Sequence, residues 1–493
     1  MSGTRRTRTD LLAAVAGAVV GGLLFLLARR ALIDDAYISL DYARNVAFHL
    51  HWGVIEQQTS NTATSPLNVW LLAGVTALVR QPVAAAGVIL MASSAATAVW
   101  SARTAQLLGL SRILPVLTVG GLLADPLLAS TIGLETYLAA SLIVGLSYCA
   151  VAARPAAAGV LAGLLVLTRP DLVVFAVVAV LGVAALRRRA VLVTGIAIGV
   201  ALPWYLVSWR LLGSALPGTF LLKTGGERWG GVYDFANGLQ LYRLAFPTAT
   251  VLAAVPAALG VLCLAAWITP ALRRGVPGGV AVPVVTGIGG LAHFVVFSAL
   301  GTAPYHWYYG PSLAGLISCA AFTAAAVPAA VRVAPRVLGV LAAAPVAVVA
   351  ILSAGFALSQ GVPWAAAPIT TNWALASQYQ RIGTELAGEV ARQTIASPGE
   401  IGTLAYYCRC AIVDAFSDRG TMNQVIQERE RRAGPVQRPL LQINYRYNDR
   451  TVRPSRPTLI LQYQPAQRAE APDQWNVDSP WRGTGRLLLN PAP

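Results

Sequence analysis

Lysine and acidic residues are scarce in this chain of 493 residues. Lys223 is its single lysine, beside 36 arginines, and aspartate and glutamate together number 21. Charged residues make up 12% of the sequence, whereas soluble globular proteins carry roughly a quarter. This shortage of charge excludes an ordinary soluble enzyme. The hydrophobic content of 56% excludes intrinsic disorder, which requires low hydrophobicity.

Cysteine is also rare, and its five positions form no metal-binding pattern. Cys149, Cys263 and Cys319 lie in apolar stretches and are expected to be small core residues. Cys408 and Cys410 are separated by one residue, a spacing at which a disulfide would be strained. Since no further metal ligands lie near them, we expect this pair to be structural.

Long apolar runs fill the first 360 residues, and the charge density rises after that point. A membrane span needs roughly 20 apolar residues. Candidate spans are 11–32, 66–79, 82–101, 112–124, 133–152, 156–168, 171–186, 190–211, 248–268, 280–301, 311–330 and 337–359. We therefore predict a mostly α-helical, polytopic membrane domain over residues 1–360 with 11 or 13 transmembrane helices. Residues 361–493 are predicted to form a small extracytoplasmic α/β domain.

Within this C-terminal domain the apolar pattern predicts one helix and four strands. Residues 373–396 carry a helical apolar stripe, and residues 404–407, 412–413, 440–445 and 458–463 are expected to be strands. The arginine-rich stretch 429–456 is expected to be a solvated face, with an anionic surface as the alternative partner. Nucleic acid is not expected, because basicity in a membrane protein usually reflects loop charges and anionic lipid.

The arginines predict the orientation of the chain, because cytoplasmic loops carry an excess of positive charge. The first apolar run follows basic residues and lacks a cleavage pattern, so we expect a signal anchor with its amino terminus inside. Inner loops are predicted at three arginine groups: Arg187 to Arg189, Arg273 with Arg274, and Arg332 with Arg336. This places residues 169–171, 212–247, 302–310 and 361–493 outside the cytoplasmic membrane. Counting forward from the basic amino terminus places residues 33–65 outside as well.

Nine of the ten acidic residues before position 360 fall on the predicted outer side. They are Asp34, Asp35, Asp41, Glu56, Asp125, Glu135, Asp171, Glu227 and Asp234. Acidic side chains near a bilayer are costly and are usually retained for function. The distribution therefore predicts an active site at the outer membrane face.

Asp34 and Asp35 are the strongest candidates for acid–base chemistry. A carboxylate at the membrane surface can act as a general base toward a hydroxyl. A second carboxylate beside it can raise its pKa or bind a cation. We predict Asp34 as the base, with Asp35 as its helper or in its place. No metal is required, although His49 and His51 with nearby aspartates leave a divalent Mg or Mn site open.

Arg44, Arg169 and Lys223 fall on the predicted outer side, against the usual charge bias. A bound phosphate would explain them, because arginine offers a bidentate fork and lysine a point charge. For Arg169 the alternative is a local ion pair with Asp171. Residues 304–311 are rich in aromatic side chains, and His306, Tyr308 and Tyr309 could contact a substrate or belong to an interfacial aromatic belt.

Several ordered motifs resemble the GT-C superfamily of polytopic glycosyltransferases, most nearly a branch that includes the mycobacterial terminal arabinofuranosyltransferases. The matching strings are D-D-A-Y-I-S-x-x-Y-A-R-N from Asp34, T-x-T-S-P-L from Thr62, G-L-E-T from Gly133, L-T-R-P-D from Leu167, L-P-G-T-F-x-x-K from Leu216, Y-Y-G-P from Tyr308, G-T-L-A-Y from Gly402 and I-V-D from Ile412. Gly218 replaces an asparagine of that branch.

The resemblance implies transfer of a sugar from a polyprenyl phosphate to a cell-envelope glycan or glycolipid, in one inverting displacement. It implies arabinofuranose as the sugar, with mannose as the alternative, and the composition suggests a high-GC genome such as that of actinobacteria. The donor phosphate would be bound by Arg169, Lys223 and Arg44. Substrate contacts would come from Glu135, Asp171, His306, Tyr308 and Tyr309.

Two other classes compete with this interpretation. A transporter or lipid flippase fits the number of spans, although transporters place charges near the midplane and show related halves, and neither feature is found here. An O-acyl or phosphoglycerol transferase would share an outer-face site, but it usually has a histidine or serine centre that the sequence lacks.

Overall fold

The structure is a computed structural model that describes residues 2–223, 228–330, 335–390, 393–465 and 474–492. Two residues used in the topology prediction, Glu227 and Arg332, lie outside the described residues. The apolar helices follow the predicted spans closely. Those long enough to cross a membrane are Thr7–Ala28, Pro82–Leu108, Ala190–Leu211, Pro247–Ala266, Ala281–Ala299, His306–Ala330 and Val340–Ser359. Shorter apolar helices are Pro66–Val79, Ile113–Ala124, Thr136–Val151, Pro155–Thr168 and Pro170–Gly182.

The remaining helices are short or polar, and a small sheet lies near the carboxyl end. These helices are Asp34–His49, Pro126–Ala129, Ala184–Arg187, Gly218–Lys223, Gly238–Ala245, Pro270–Gly275, Ala376–Glu389, Gly402–Cys408, Arg419–Arg432 and Gln437–Asn444. The strands are β1 (Thr394–Ala396), β2 (Ala411–Val413), β3 (Leu459–Pro465), β4 (Gln474–Ser479) and β5 (Gly483–Pro491). The predicted mostly helical membrane fold with a small C-terminal sheet is confirmed.

The sheet has the strand order β2-β1-β3-β5-β4. β1 pairs in parallel with both β2 and β3, whereas β5 pairs antiparallel with β3 and β4. The parallel part requires helical crossovers, and Gly402–Cys408 supplies the one between β1 and β2. This connection carries the backbone that contacts Asp34, as described below.

Two of the four predicted strands are wrong. Residues 404–407 belong to the helix Gly402–Cys408, and residues 440–445 fall largely in the helix Gln437–Asn444. In the first, burial of Leu404, Ala405 and Cys408 follows helical spacing, which a four-residue apolar run does not distinguish from a strand. The strands at 412–413 and 458–463 are confirmed by β2 and β3. The helix predicted over 373–396 is present as the shorter Ala376–Glu389, and its predicted end at 394–396 is wrong because these residues form β1.

Asp34 and Asp35 open a new helix a few residues after the first membrane helix. That helix ends at Ala28, and a separate helix begins at Asp34 after the extended residue Ile33. The two carboxylates therefore occupy the first turn of Asp34–His49, where the helix dipole favours negative charge. The helix ends at His49, and the following residue Leu50 caps it in a left-handed conformation with a φ of 52°.

Contacts divide the chain into two compact units that alternate along the sequence. The first unit comprises Met1–Ala28, Gly87–Ala201 and Arg228–Pro363, and the second comprises Arg29–Ala86, Leu202–Glu227 and Trp364–Pro493. In the first, small residues allow close helix packing: a Cβ on Gly260 would lie 2.2 Å from the carbonyl oxygen of Leu316. The predicted division at residue 360 between membrane and aqueous domains stays a prediction.

Candidate active site

The Asp34 carboxylate, in the second unit, is bound by the backbone of a distant segment. Its Oδ2 accepts hydrogen bonds from the N–H groups of Ile401 (3.1 Å) and Gly402 (2.9 Å), and its Oδ1 accepts one from Thr403 (2.7 Å). The Asp34 N–H donates to Oδ1 of Asn372 at 3.3 Å. Asp34 is only 3% exposed. Its carboxylate is therefore buried and does not face water.

The helix Asp34–His49 contacts both ends of the short helix Gly402–Cys408. Asp34 caps its amino end, and Arg44 donates from Nη1 to the carbonyl oxygen of Tyr406 at 2.7 Å near its carboxyl end. Both charges complement the dipole of the short helix. The approach requires glycine, because a Cβ on Gly402 would lie 2.1 Å from the carbonyl oxygen of Asp34. Asp34–His49 thus fixes the position of Gly402–Cys408.

Burial raises the pKa of Asp34 to about 6, and the neighbouring Asp35 charge adds to the shift, while the hydrogen bonds from Thr403 and Gly402 oppose it. Glu400 precedes the same backbone turn. Its Oε2 accepts from the Trp373 N–H at 2.9 Å and from the Tyr379 hydroxyl at 2.5 Å. Burial and the Asp34 charge raise the pKa of Glu400 well above its ordinary value.

Asp35 differs from Asp34 in both exposure and partners. Its side chain is 33% exposed, and its Oδ1 lies 3.6 Å from Nζ of Lys223. The ammonium group of Lys223 also lies 5.6 Å from the ring centre of Phe416. Of the two adjacent carboxylates, Asp35 is the one that a substrate can reach, and a cation stands beside it.

Asp41 and Arg44 form a buried ion pair about two turns further along the helix. Nη2 of Arg44 lies 2.8 Å from Oδ1 of Asp41, and both residues are 5% exposed or less. Burial raises the pKa of Asp41, while the Arg44 charge opposes that shift. The guanidinium group also stacks 4.9 Å from the ring centre of Tyr406. These contacts hold the C-terminal segment on this helix. The predicted contact of Arg44 with the donor phosphate stays a prediction.

The helix that carries Lys223 is positioned by the loop around Asn61. The Gly218 N–H donates to the Asn61 carbonyl at 3.0 Å, and the Thr219 hydroxyl donates to the Thr62 carbonyl at 2.9 Å. The Tyr42 hydroxyl lies 2.8 Å from Oγ1 of Thr62 and so fixes this loop on Asp34–His49. The sequence motif that begins at Thr62 therefore helps to position Lys223.

A small polar cleft, partly open to solvent, lies beside Phe416. Its walls include the Asn61 loop, the segment Leu212 to Gly218, the start of Arg419–Arg432 and the residues Tyr445 and Asn448. Arg419 lines the cleft and makes no ion pair within the part of the chain that the structure describes. Hydroxyl, amide, guanidinium and aromatic groups in one cleft are suited to a sugar.

The candidate metal ligands His49 and His51 are not joined into a ligand set. His49 Nε2 lies 3.2 Å from Oε1 of Glu56, and both side chains are largely exposed. Among the described residues, no three His, Cys, Asp or Glu side chains form a group that could hold a metal ion. Cys408 and Cys410, the pair expected to be structural, form a disulfide at the end of the short helix Gly402–Cys408.

In the first unit, the structure brings Glu135, Arg169 and Asp171 together. Nε of Arg169 lies 2.9 Å from Oδ1 of Asp171, and its Nη1 lies 3.4 Å from Oε1 of Glu135. The guanidinium group also lies 4.8 Å from the ring centre of Tyr308. The local ion pair between Arg169 and Asp171, which was the alternative to phosphate binding, is therefore present. Glu135 adds a second carboxylate to the pair.

This network continues to His293, a residue that the sequence analysis missed. Its Nε2 lies 2.8 Å from Oδ2 of Asp171, and its Nδ1 lies 2.9 Å from Oγ of Ser312. His293 is fully buried within Ala281–Ala299. The available signal was the presence of an ionisable residue within an apolar span, which usually marks a partner or a function.

The aromatic candidates lie in the same unit, and two of them are buried. The Tyr309 hydroxyl donates to the Phe235 carbonyl at 2.6 Å, and the two rings stack with centres 4.2 Å apart. His306 is 0% exposed and packs edge-on against Trp307 and Tyr242. Tyr308 is the more accessible one and lies under Arg169. The predicted substrate contacts of these residues stay predictions.

Comparison with known proteins gives the fold. No protein-family model matches the sequence, and no curated protein matches it. Solved structures of the same fold include ArnT from Cupriavidus metallidurans in the apo state and bound to undecaprenyl phosphate. They have TM-scores of 0.56 and 0.55 at 17% identity, and 97% of each chain is covered.

A third solved structure is the archaeal oligosaccharyltransferase AglB from Archaeoglobus fulgidus, in complex with an inhibitory peptide and a dolichol-phosphate. Its TM-score is 0.51 at 13% identity, over 92% of this chain and 69% of AglB. At these identities the likeness shows the fold. The predicted fold, that of a mostly helical multi-pass membrane protein, is confirmed. The arabinofuranosyltransferase branch stays a prediction.

Proposed function

We propose that the protein is a membrane glycosyltransferase that moves a sugar from a polyprenyl-phosphate donor to a glycan or glycolipid hydroxyl. The supporting observation is the pairing of the accessible Asp35 carboxylate with the single lysine at 3.6 Å. The fold supports the donor class, because it is shared with ArnT bound to undecaprenyl phosphate and with AglB bound to a dolichol-phosphate.

In the proposed reaction Asp35 is the general base. Its carboxylate takes the proton of the acceptor hydroxyl as the hydroxyl oxygen bonds to the anomeric carbon. The bond from that carbon to the phosphate oxygen breaks, and polyprenyl phosphate leaves with the bonding pair. Lys223 stabilises the charge that develops on the leaving phosphate. The neighbouring Asp34 keeps Asp35 in place by binding the backbone at Gly402.

The proposed acceptor site is the polar cleft beside Phe416. Because Lys223 lies against the Phe416 ring, a sugar in this cleft would extend from the base and the cation into a hydrogen-bonding surface. Arg419 and Asn61 would bind its hydroxyl groups, and Phe416 would pack against an apolar sugar face. Arabinofuranose is the proposed transferred sugar on the basis of the motif resemblance, with mannose as the alternative hexose.

We further propose that this site faces the outside of the cytoplasmic membrane. The arginine groups in the predicted inner loops support this orientation. The disulfide between Cys408 and Cys410 adds to it, because disulfides persist in oxidising compartments and are rare in the cytosol. The proposed acceptor is accordingly a cell-envelope glycan or glycolipid.

The function is tested with purified protein in lipid nanodiscs and a radiolabelled polyprenyl-phosphate pentose or hexose. Transfer of label to an arabinan or mannan acceptor, with release of polyprenyl phosphate, would support the proposal. A flippase would move the donor between leaflets without consuming it. Intact donor after prolonged incubation with both sugars and both acceptors, together with transbilayer movement, would contradict a transferase.

A further inference from the structure

The helix Gln437–Asn444 presents apolar side chains on two opposite sides. On the inner side, Leu441 and the following Tyr445 are 9% and 2% exposed and join a cluster with Met422, Ile426 and Ala433. On the outer side, Val436, Leu440 and Ile443 are 78%, 63% and 58% exposed. A surface helix of a water-soluble domain normally turns polar residues outward.

The outer apolar residues form a continuous stripe. Val436, Leu440, Ile443 and Tyr447 are spaced by four, three and four positions, which places them on one side of a helical segment. Tyr447 is 41% exposed and continues the stripe just beyond the helix. Singly exposed apolar side chains are common, but a contiguous patch with polar residues around it marks an interaction surface.

The stripe adjoins the end of a membrane-spanning helix. Trp209 lies in the last turn of Ala190–Leu211, and its indole N–H donates to the Ile443 carbonyl at 2.7 Å. The Trp209 and Tyr447 rings are 5.0 Å apart. The exposed side chains Val207 and Leu211 lie at the same helix end. The stripe is therefore held at the level where a span leaves the bilayer, where tryptophan and tyrosine are enriched.

Arginine side chains accompany the stripe. Arg210 and Arg446 lie 5.0 and 6.0 Å from the ring centre of Tyr447. Arg438 is exposed on the helix itself and donates to the backbone carbonyls of Glu430 and Arg431. Cations beside an apolar helical face at a bilayer surface complement the phosphates of anionic lipids.

We propose that the face formed by Val436, Leu440, Ile443 and Tyr447 lies in the boundary between headgroups and acyl chains of an anionic bilayer. Gln437–Asn444 is thus an interfacial helix that anchors the C-terminal part of the chain to the membrane. A lipid surface fits better than a protein partner, because the stripe is continuous with the lipid-facing end of a span and is accompanied by arginines. This differs from the solvated face expected over 429–456, and it does not depend on the proposed enzyme activity.

The test uses the full-length protein in nanodiscs of phosphatidylcholine and phosphatidylglycerol. A benzophenone amino acid replaces Leu440 or, in a second variant, Val436, and a matched control replaces Gln442, an exposed polar residue of the same helix. After illumination, mass spectrometry measures lipid adducts at each position. All three positions are largely exposed, so these variants should fold, and the thermal midpoint of each is checked.

The expected result is several-fold more lipid adduct at positions 440 and 436 than at position 442. Arg438→Gln together with Arg446→Gln should lower the share of phosphatidylglycerol among the adducts. Equal adduct yields at all three positions would overturn the proposal. Crosslinking of position 440 to a second copy of the chain or to a co-purified protein, in place of lipid, would also overturn it.

Discussion

The carbonyl oxygen of Asp34 lies so close to Gly402 that a Cβ at position 402 would approach it to 2.1 Å. The first turns of two helices, separated by more than 350 residues in sequence, therefore meet at a glycine. The Asp34 carboxylate binds the N–H groups of the same turn. This arrangement supports the proposal in which Asp34 is structural and Asp35 is the base.

Gly402→Ala should destabilise the second unit. The added methyl group meets backbone atoms, which do not yield as a flexible side chain would, and overpacking typically costs about 1–3 kcal/mol. The thermal midpoint in detergent measures the effect. Gly388→Ala is the matched control, because no atom lies within 4 Å of its Cβ position. An unchanged midpoint for Gly402→Ala would show that the two helix ends do not meet in this way.

Asp34→Asn should lower stability, and the loss should depend on pH. The amide places a donor against backbone donors, and an unsatisfied buried group costs about 1–3 kcal/mol. The pKa of Asp34 is raised to about 6 by burial, so the folded state binds the proton more tightly than the unfolded state. Between about pH 4 and 6 this group therefore lowers stability as pH rises.

The stability lost in Asp34→Asn should consequently be largest near pH 4 and smaller above pH 6. Thermal midpoints of both proteins, measured from pH 4 to 7, check this difference. A loss that grows with pH would mean that Asp34 is charged in the folded state well below pH 6, and it would contradict the assigned direction of the shift.

Lys223→Ala should weaken use of the donor. A charge-assisted contact contributes roughly 1.5–3 kcal/mol, which corresponds to about 10- to 100-fold in kcat/KM for the polyprenyl-phosphate sugar. Lys223→Arg should restore part of the activity, because the charge is kept. Arg456→Ala removes an exposed cation elsewhere in the second unit and serves as the control. Unchanged donor kinetics in Lys223→Ala would remove this residue from the donor site.

Arg419→Gln should change the acceptor kinetics selectively. If the cleft beside Phe416 holds the acceptor sugar, KM for the acceptor should rise several-fold while KM for the donor stays the same. Steady-state kinetics with each substrate varied separately measure this split. A rise in donor KM alone would reassign the cleft to the donor, and no change in either constant would leave the cleft outside the reaction.

Arg169→Ala should destabilise the first unit strongly. The substitution leaves Glu135 and Asp171 buried without their cation, and breaking a buried pair in this way costs about 3–5 kcal/mol. The thermal midpoint should fall well below that of Lys223→Ala, which removes a partly exposed cation. A midpoint equal to that of the unaltered protein would mean that Arg169 is not required by these carboxylates.

Sequence patterns predicted the membrane helices well, because a bilayer demands long apolar runs and the chain has few charges to interrupt them. The arrangement around Asp34 could not be predicted in the same way. Adjacent aspartates look equivalent in sequence, yet one accepts backbone hydrogen bonds from residues 401 to 403 and the other faces a lysine. Such a difference depends on long-range packing, which local spacing does not contain.

The same limit explains the other missed features. The roles of Glu400 and His293 depend on partners from distant segments, Tyr379 for the first and Asp171 for the second. The helices Gly402–Cys408 and Gln437–Asn444 were mistaken for strands because short apolar runs fit both periodicities. The apolar stripe on Gln437–Asn444 lies within the arginine-rich stretch 429–456, and the arginines predicted a solvated surface there.

The central claim is that Asp35 is the base and Asp34 is not. The most direct measurement is single-turnover transfer from a polyprenyl-phosphate sugar by Asp35→Asn and Asp34→Asn at pH 7, each corrected for its folded fraction. Asp449→Asn, a substitution of an exposed carboxylate, is the control. We predict that Asp35→Asn lowers the rate by at least about 100-fold, the low end for a general base, and that Asp34→Asn lowers it much less. The account would be contradicted if Asp35→Asn transferred sugar at a rate near that of the unaltered protein while correctly folded Asp34→Asn lost most of its transfer rate.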